Sequence, residues 1–478
     1  MNLLRIETGS SDIFTNPILN DMSADDVLSG WDNIFRSSEK INKPLMELET
    51  SNRSKFGPRS IAIPWMERKE SVESYFGLSS LGDDLSAPVP ILNRLRPLDI
   101  GTASLYLKNN SNSGLPFYMK KKNVKSTVLS EDVFRKLIAR RDPCVLFTRT
   151  QENKKTRTVW GYPIADTLRE MQFYRPILDI QKRLGWRAAL STPEVVDRGV
   201  TDIINTALKQ NLEILSIDFS SYDASVKSGL QKSAWSYIKQ MYQSKYHAEI
   251  DDIADRFLRI GLITPDGIMS GPHGVPSGST FTNEIDSIVQ YLVAYRCRDI
   301  LHIDKCQIQG DDGLYIVSDP VRVSEHFKNY GLSVNMDKSI VAKDHAIYLQ
   351  SLFHNDYRDS TGLISGIYPT YRALTRIMFL ERFEDFEKDD ISGKDYFAIR
   401  TISILENCKH HPLFRELVLY VLSLDKYKLQ VSEQGLLNYV KRLNDQEGKD
   451  VSFKEWSYGE DVRGIKAFET YKIINEVT

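Results

Sequence analysis

Two short apolar runs that end in aspartate constrain this chain more than any other feature. In Lys305 to Val317 (KCQIQGDDGLYIV), strand-like residues flank Gly310, Asp311, Asp312 and Gly313, the composition of a tight hairpin. Such a hairpin holds both carboxylates at its tip. In Asn211 to Phe219 (NLEILSIDF) a second apolar run ends at Asp218, and Asp223 follows shortly after. Taken singly, Asp218 reads as the cap of the next helix and Gly-Asp-Asp as an ordinary turn. Brought together, Asp218 and Asp311 become costly, because two unit negative charges about 4 Å apart repel by about 4 kcal/mol at an effective dielectric near 20. The cluster must then take up a proton or a cation. With oxygen donors and no histidine in either segment, the fitting cations are hard ones, Mg²⁺ or Mn²⁺. Two such ions about 3.5 to 4 Å apart would clamp the attacking and leaving oxygens of a phosphoryl transfer.

A chain of 478 residues exceeds the size at which one hydrophobic core keeps growing, so two or three lobes with clefts between them are expected. Hydrophobic residues at 41% and charged residues at 26% exclude wholesale disorder. The longest apolar stretch, Leu417 to Leu424, falls far short of the roughly 20 residues of a membrane-spanning helix. Arg5 and Glu7 interrupt the amino terminus before a signal-peptide core develops, so secretion is not expected. Cys144, Cys297, Cys306 and Cys408 form no CxxC pair, which argues against a zinc knuckle or a disulfide framework and for a reducing, intracellular setting. A net charge of −2 does not favour a nucleic-acid partner. Two basic runs stand against it: Lys120, Lys121, Lys122 and Lys125, then Arg140, Arg141, Arg149, Lys154, Lys155 and Arg157. On their own they read as solvated faces.

No internal repeat is present, which excludes a solenoid. The first sixty residues are polar and rich in turn formers, and are expected to form an extended arm across the surface. Helical spacing marks Val133 to Arg140, Ala165 to Leu184, Tyr371 to Phe386 and Leu413 to Leu424. Strands in the middle with helices around them predict an α+β architecture. Between the two aspartate clusters, MSGPHGVPSGSTFTNEIDS reads as a glycine-rich loop feeding a helix, with Ser277 as its cap and His273 incidental.

The order DFSSYD, PSGSTFTNEID, QGDD resembles the palm motifs of RNA-dependent RNA polymerases of RNA viruses. Further segments fall in the same order. SNSGLPF at 111 to 117 is similar to the motif that admits template, KKTRTVW at 154 to 160 to the basic motif that admits nucleotides, YGLSVNMDKS at 330 to 339 to the lysine-bearing motif, and AIYLQSLF at 346 to 353 to the primer-grip hairpin. GLPF, GVPSGSTFTN and QGDDG most resemble polymerases of picobirnaviruses, then partitiviruses, both double-stranded RNA virus families.

The resemblance implies a right hand of fingers, palm (an antiparallel sheet with helices) and helical thumb. Its divisions would be an N-terminal arm at 1–60, fingers at 61–206 and 228–270, palm at 207–227 and 271–355, and thumb at 356–478. It implies that Asp218 and Asp311, assisted by Asp312, ligate Mg²⁺, with Mn²⁺ as a substitute. Lys154, Lys155 and Arg157 would hold the triphosphate, Asp223 with Ser277, Thr282 and Asp286 would recognise the ribose, and Lys338 would protonate the leaving pyrophosphate. Ser113, Gly114, Gly278 and Leu349 would contact template or primer. Position 286 departs from the pattern, since many relatives carry asparagine where this chain has Asp286, and the change removes an amide donor. Implied partners are template and nascent RNA, NTPs and a capsid protein. The enzyme is expected to be a monomer inside the virion, and in the host cytoplasm during replication. A reverse transcriptase would carry an aromatic sugar gate, whereas this chain has Asp223 and SGSTFT. A non-catalytic scaffold is opposed by the intact Asp218, Asp311 and Asp312.

Overall fold

The computed structural model describes residues 2–20, 22–447 and 462–477. Strands β1 (Cys144–Thr150) and β2 (Thr156–Gly161) form a hairpin, and β3 (Glu213–Ile217) follows two long helices, Ile164–Gln181 and Pro193–Gln210. A short hairpin follows, β4 (Leu262–Thr264) and β5 (Gly267–Met269), then the aspartate hairpin, β6 (Gln307–Gln309) and β7 (Asp312–Val317). Next come β8 (Ile340–Ala342) and a fourth hairpin, β9 (His345–Tyr348) and β10 (Ser351–His354). One four-stranded sheet runs β2-β1-β4-β5, the other β6-β7-β3-β8.

The second sheet is covered on both faces, which is why β3 reads as a continuous apolar run rather than an alternating one. Leu215, Ile217, Tyr315 and Val317 pack one way, against helices Ser228–Met241 and Thr282–Arg296. Ile214, Leu314 and Ile316 pack the other way, against Val200, Ile203 and Ile204 of helix Pro193–Gln210. Because the register pairs Leu215 with Tyr315 and Ile214 with Ile316, each antiparallel pair lies on one face.

The extended arm expected over the first sixty residues is not what forms. Helices Asn2–Thr8, Ala24–Arg36 and Lys43–Arg53 occupy that segment. Trp31 is fully buried among Leu374, Ile402, Leu417 and Val421, so the amino-terminal helices complete the core of the carboxy-terminal lobe. Composition hid this, because an amphipathic helix needs only one apolar stripe in an otherwise polar segment.

A second expectation also fails in part. Helical spacing over Tyr371 to Phe386 gives a helix only at Thr370–Met378, since Phe379 and Leu380 pair as a strand with Thr15 and Phe14. The other expected helices form as Glu131–Arg140, Ile164–Gln181 and Phe414–Leu424. All four cysteines are buried and free. Among the described residues no helix is long and apolar enough to cross a membrane.

Candidate active site

The pairing of β3 with β7 places Ile217 opposite Gly313, so the chain leaves β3 at Asp218 beside the turn that carries Asp311 and Asp312. Asp218 is pinned through its backbone: its N–H donates to Ser339 Oγ at 3.0 Å, and its carbonyl accepts from Asn335 N–H at 2.7 Å. The lysine-bearing segment is thereby laid against the strand end. Lys338 projects from that segment, and its charge opposes the rise that burial imposes on the Asp218 carboxyl.

The aspartate hairpin is held from beneath by helix Thr282–Arg296. Ser287 Oγ accepts from Gly310 N–H at 2.8 Å, and Gln290 Nε2 donates to the Gly310 carbonyl at 2.8 Å. Gln290 Oε1 in turn accepts from Tyr315 Oη at 2.6 Å. A Cβ on Gly313 would meet Gln290 Oε1 at 1.9 Å, so the clamp requires glycine there. Sequence reasoning missed Ser287 and Gln290, both fully buried. The signal was a pair of polar residues three apart, one helical turn, among the apolar residues Ile285, Ile288, Val289 and Leu292.

Burial, with the nearby charge of Asp311, raises the Asp312 carboxyl to about 7. The same causes raise Asp223 to about 6, against a lowering by Arg157. Asp286 is buried and pushed well above the carboxylate range by burial and by Asp223, to which it is hydrogen-bonded. When protonated, Asp286 would offer Asp223 a donor in the place where many relatives have the asparagine amide.

Besides Lys338, cations come from two further directions. Lys155, on the turn between β1 and β2, acts on Asp218 and Asp311, and Arg157 on Asp223 and Asp312. Arg157 is steadied by Gln151 Oε1, 2.7 Å from its Nε. Lys154 sits in the same turn at φ 56°, and the charge that reaches Asp218 from this turn is that of Lys155. Lys55, after helix Lys43–Arg53, also acts on Asp218, and no motif in its segment signalled it.

Other expected residues are placed differently. Ser277 Oγ donates to the Thr158 carbonyl at 2.7 Å and Thr282 Oγ1 to the Pro276 carbonyl at 2.8 Å, so both hydroxyl protons are committed to backbone. A Cβ on Gly278 would fall 1.6 Å from the Trp160 carbonyl, so only glycine lets this loop lie on β2. Ser113 is buried and its carbonyl accepts from Ile164 N–H at 2.7 Å, while Gly114 N–H donates to Asn112 Oδ1 at 2.8 Å. Leu349 forms the β9–β10 turn with Gln350, both at positive φ. His273 is buried between the Gly274 and Ile260 carbonyls, and burial lowers it to about 4, a structural role.

The donor chemistry of Asp218, Asp311 and Asp312, oxygen only and mutually repelling, fits a hard divalent cation. The three do not form a tight trio. Among the described residues, the group of three whose donor atoms lie within 4.8 Å of one another is Asp344, His345 and His354, elsewhere in the fold.

A model of the viral RNA-dependent RNA polymerase family matches residues 67–380. The chain is 28% identical over 474 residues to a potential RNA-dependent RNA polymerase of human picobirnavirus, covering 91% of this chain and 86% of that one. It is 28% identical over 221 residues to an RNA-directed RNA polymerase of Cryptosporidium parvum virus 1, 41% of each chain. The crystal structure of the RNA-dependent RNA polymerase of a human picobirnavirus superposes with a TM-score of 0.81 at 24% identity, covering 100% of this chain and 96% of that one.

Proposed function

The chain belongs to the viral RNA-dependent RNA polymerases, and from that premise we propose that it extends RNA by a two-metal nucleotidyl transfer in the cleft of Asp218, Asp311 and Asp312. Its α+β fold is the right hand of fingers, palm and thumb. We assign fingers to 61–206 and 228–270, palm to 207–227 and 271–355, and thumb to 356–478. The N-terminal helices brace the thumb.

The observation that carries the mechanism is the β3–β7 register, which sets Asp218 beside the hairpin aspartates, with Lys338, Lys155 and Arg157 acting on them. Polymerases of this family use divalent ions. Held by Asp218, Asp311 and Asp312, Mg²⁺ would offset the charge that develops on the attacking and leaving oxygens. Arg157 and Lys155 grip the triphosphate, the first as a planar fork. Asp223, given a hydrogen bond by protonated Asp286, accepts from the ribose 2′-hydroxyl. The committed hydroxyls of Ser277 and Thr282 keep the loop in place and leave their lone pairs to the sugar. Lys338 protonates the pyrophosphate as it leaves, which lysine can do and arginine hardly can.

Template RNA is held by backbone and groove shape, because sequence is read by base pairing. Ser113, Gly114, Gly278 and Leu349 shape the template and primer path. The similarity to a picobirnavirus polymerase supports a double-stranded RNA virus, with a monomeric enzyme packaged beside a capsid protein in the virion and active in the host cytoplasm.

Template-directed incorporation of labelled ribonucleotides tests the reading. Mg²⁺-dependent product complementary to the template is expected, with none from Asp311→Asn. Incorporation that ignores template sequence, or that prefers deoxyribonucleotides, would overturn it.

A further inference from the structure

At the end of the β9–β10 hairpin remote from Leu349 and Gln350, His345 and His354 stand directly opposite each other in register. Directly opposed side chains leave an antiparallel pair on the same face. Their ring centroids are 5.2 Å apart and the rings nearly parallel, at 18°. Asp344 reaches both, with Oδ1 2.8 Å from His345 Nδ1 and Oδ2 3.7 Å from His354 Nε2. Zinc bonds of about 2.0 to 2.2 Å in a tetrahedral shell hold neighbouring donors about 3.3 to 3.5 Å apart. The two observed spacings bracket that separation.

Two imidazoles and one carboxylate suit a borderline divalent ion such as Zn²⁺, whereas Mg²⁺ prefers oxygen alone. The surroundings supply the outer partner such sites use. Asp356 Oδ2 lies 3.5 Å from His354 Nδ1, the position from which a carboxylate accepts the second imidazole proton in zinc centres. Here Asp356 N–H donates to Nδ1 at 3.0 Å. Metal binding through Nε2 moves the imidazole proton to Nδ1, and the Asp356 carboxylate replaces its own N–H as the partner.

We propose that Asp344, His345 and His354 bind one zinc-class divalent cation, separate from the ions of the palm, with solvent completing the shell. The ion would clamp the base of the hairpin whose turn carries Leu349. That base also meets the amino-terminal segment, where Asn42 N–H donates to Tyr357 Oη at 2.9 Å and Asn42 Nδ2 reaches Asp356 Oδ2 at 3.3 Å. Closing the clamp would therefore stiffen the hairpin against both the palm and the N-terminal helices.

The test needs no RNA synthesis, so it stands apart from the polymerase reading. Full-length protein stripped by a chelator is titrated with Zn²⁺ in excess Mg²⁺, and metal retained after desalting is counted by mass spectrometry. About one Zn²⁺ per chain, with a rise in Tm, is expected. Visible absorption of the Co²⁺-substituted protein should show the intense bands of a tetrahedral site. His354 is buried and its removal can unfold the chain, so the deciding variants are Asp344→Asn and His345→Ala, whose side chains are 50% and 18% exposed. Each should weaken Zn²⁺ binding at least roughly 100-fold, and Asp356→Asn roughly 10-fold. Asp311→Asn should leave it unchanged. No retained Zn²⁺ in the wild type, equal retention by Asp344→Asn and His345→Ala, or loss in Asp311→Asn would each overturn the proposal.

Discussion

Asp311 is the exposed member of the hairpin pair, and its charge is felt by Asp218, Asp223, Asp312 and Asp286 alike. Asp311→Asn removes a metal ligand and relieves that repulsion together. Polymerisation should vanish while Tm in the absence of metal holds or rises, and near-normal Mg²⁺-dependent synthesis by the folded variant would remove Asp311 from the metal site. Lys338→Met should lower the single-turnover rate of nucleotide addition by roughly 10²- to 10⁴-fold, with NTP affinity changed less and Lys338→Arg restoring only part. Rapid-quench kinetics on a preassembled primer–template complex isolates that step. Glu170 shows what burial does away from the chemistry. It accepts from Ser279 Oγ and Thr280 N–H, both at 2.8 Å, and burial raises it from 4.5 to about 8. A raised acid contributes stability that is whole below the unfolded pKa and is lost as pH rises through the folded one. Chemical denaturation should thus show stability falling between about pH 4.5 and 8 by a few kcal/mol from this group, and Glu170→Gln, which keeps an acceptor for both donors, should flatten the decline.

The aspartate hairpin is a short element that cannot hold its own shape, since β6 has three residues, and its geometry is borrowed from the helix beneath. Gln290 satisfies the Gly310 carbonyl and the Tyr315 hydroxyl at once. Gln290→Leu leaves both unpaired, at about 1–3 kcal/mol for each buried group. Urea unfolding should show that loss, and the Mg²⁺ concentration for half-maximal synthesis should rise because the aspartate turn is no longer fixed. Tyr315→Phe removes one of the two bonds and should cost stability with a smaller shift in Mg²⁺ dependence. An unchanged Mg²⁺ requirement in both would separate the clamp from the site. The hairpin itself was readable from its glycines and flanking apolar residues, because turn chemistry is local. Its support was not, since nothing near Gly310 names Gln290.

Across the whole molecule, the two ends of the chain make one lobe. Trp31 Nε1 donates to Thr370 Oγ1 at 3.0 Å, and Asp32 joins Arg53 and Tyr371. Glu49 accepts from Thr370 N–H and Oγ1, both at 2.7 Å, and so caps a helix whose own N-cap, Pro369, has no side-chain donor or acceptor. Trp31→Ala should therefore cost about 3–5 kcal/mol in denaturant unfolding, as for a large buried aromatic rather than a residue of a surface tail. What the sequence alone determined was whatever is written in contiguous residues: the strand ending at Asp218, the turn at Asp311 and Asp312, and the loop with Gly278. Those patterns rest on side-chain alternation and backbone sterics within a few residues. The fold alone decided the rest. Phe14 and Thr15 end a helical run by pairing with Leu380 and Phe379. Glu49 caps a helix more than three hundred residues away, and Asp286 is pushed above the carboxylate range only because the folded chain buries it beside Asp223. Neither desolvation nor contact between distant segments leaves a local mark, since both exist only once the chain has closed around them.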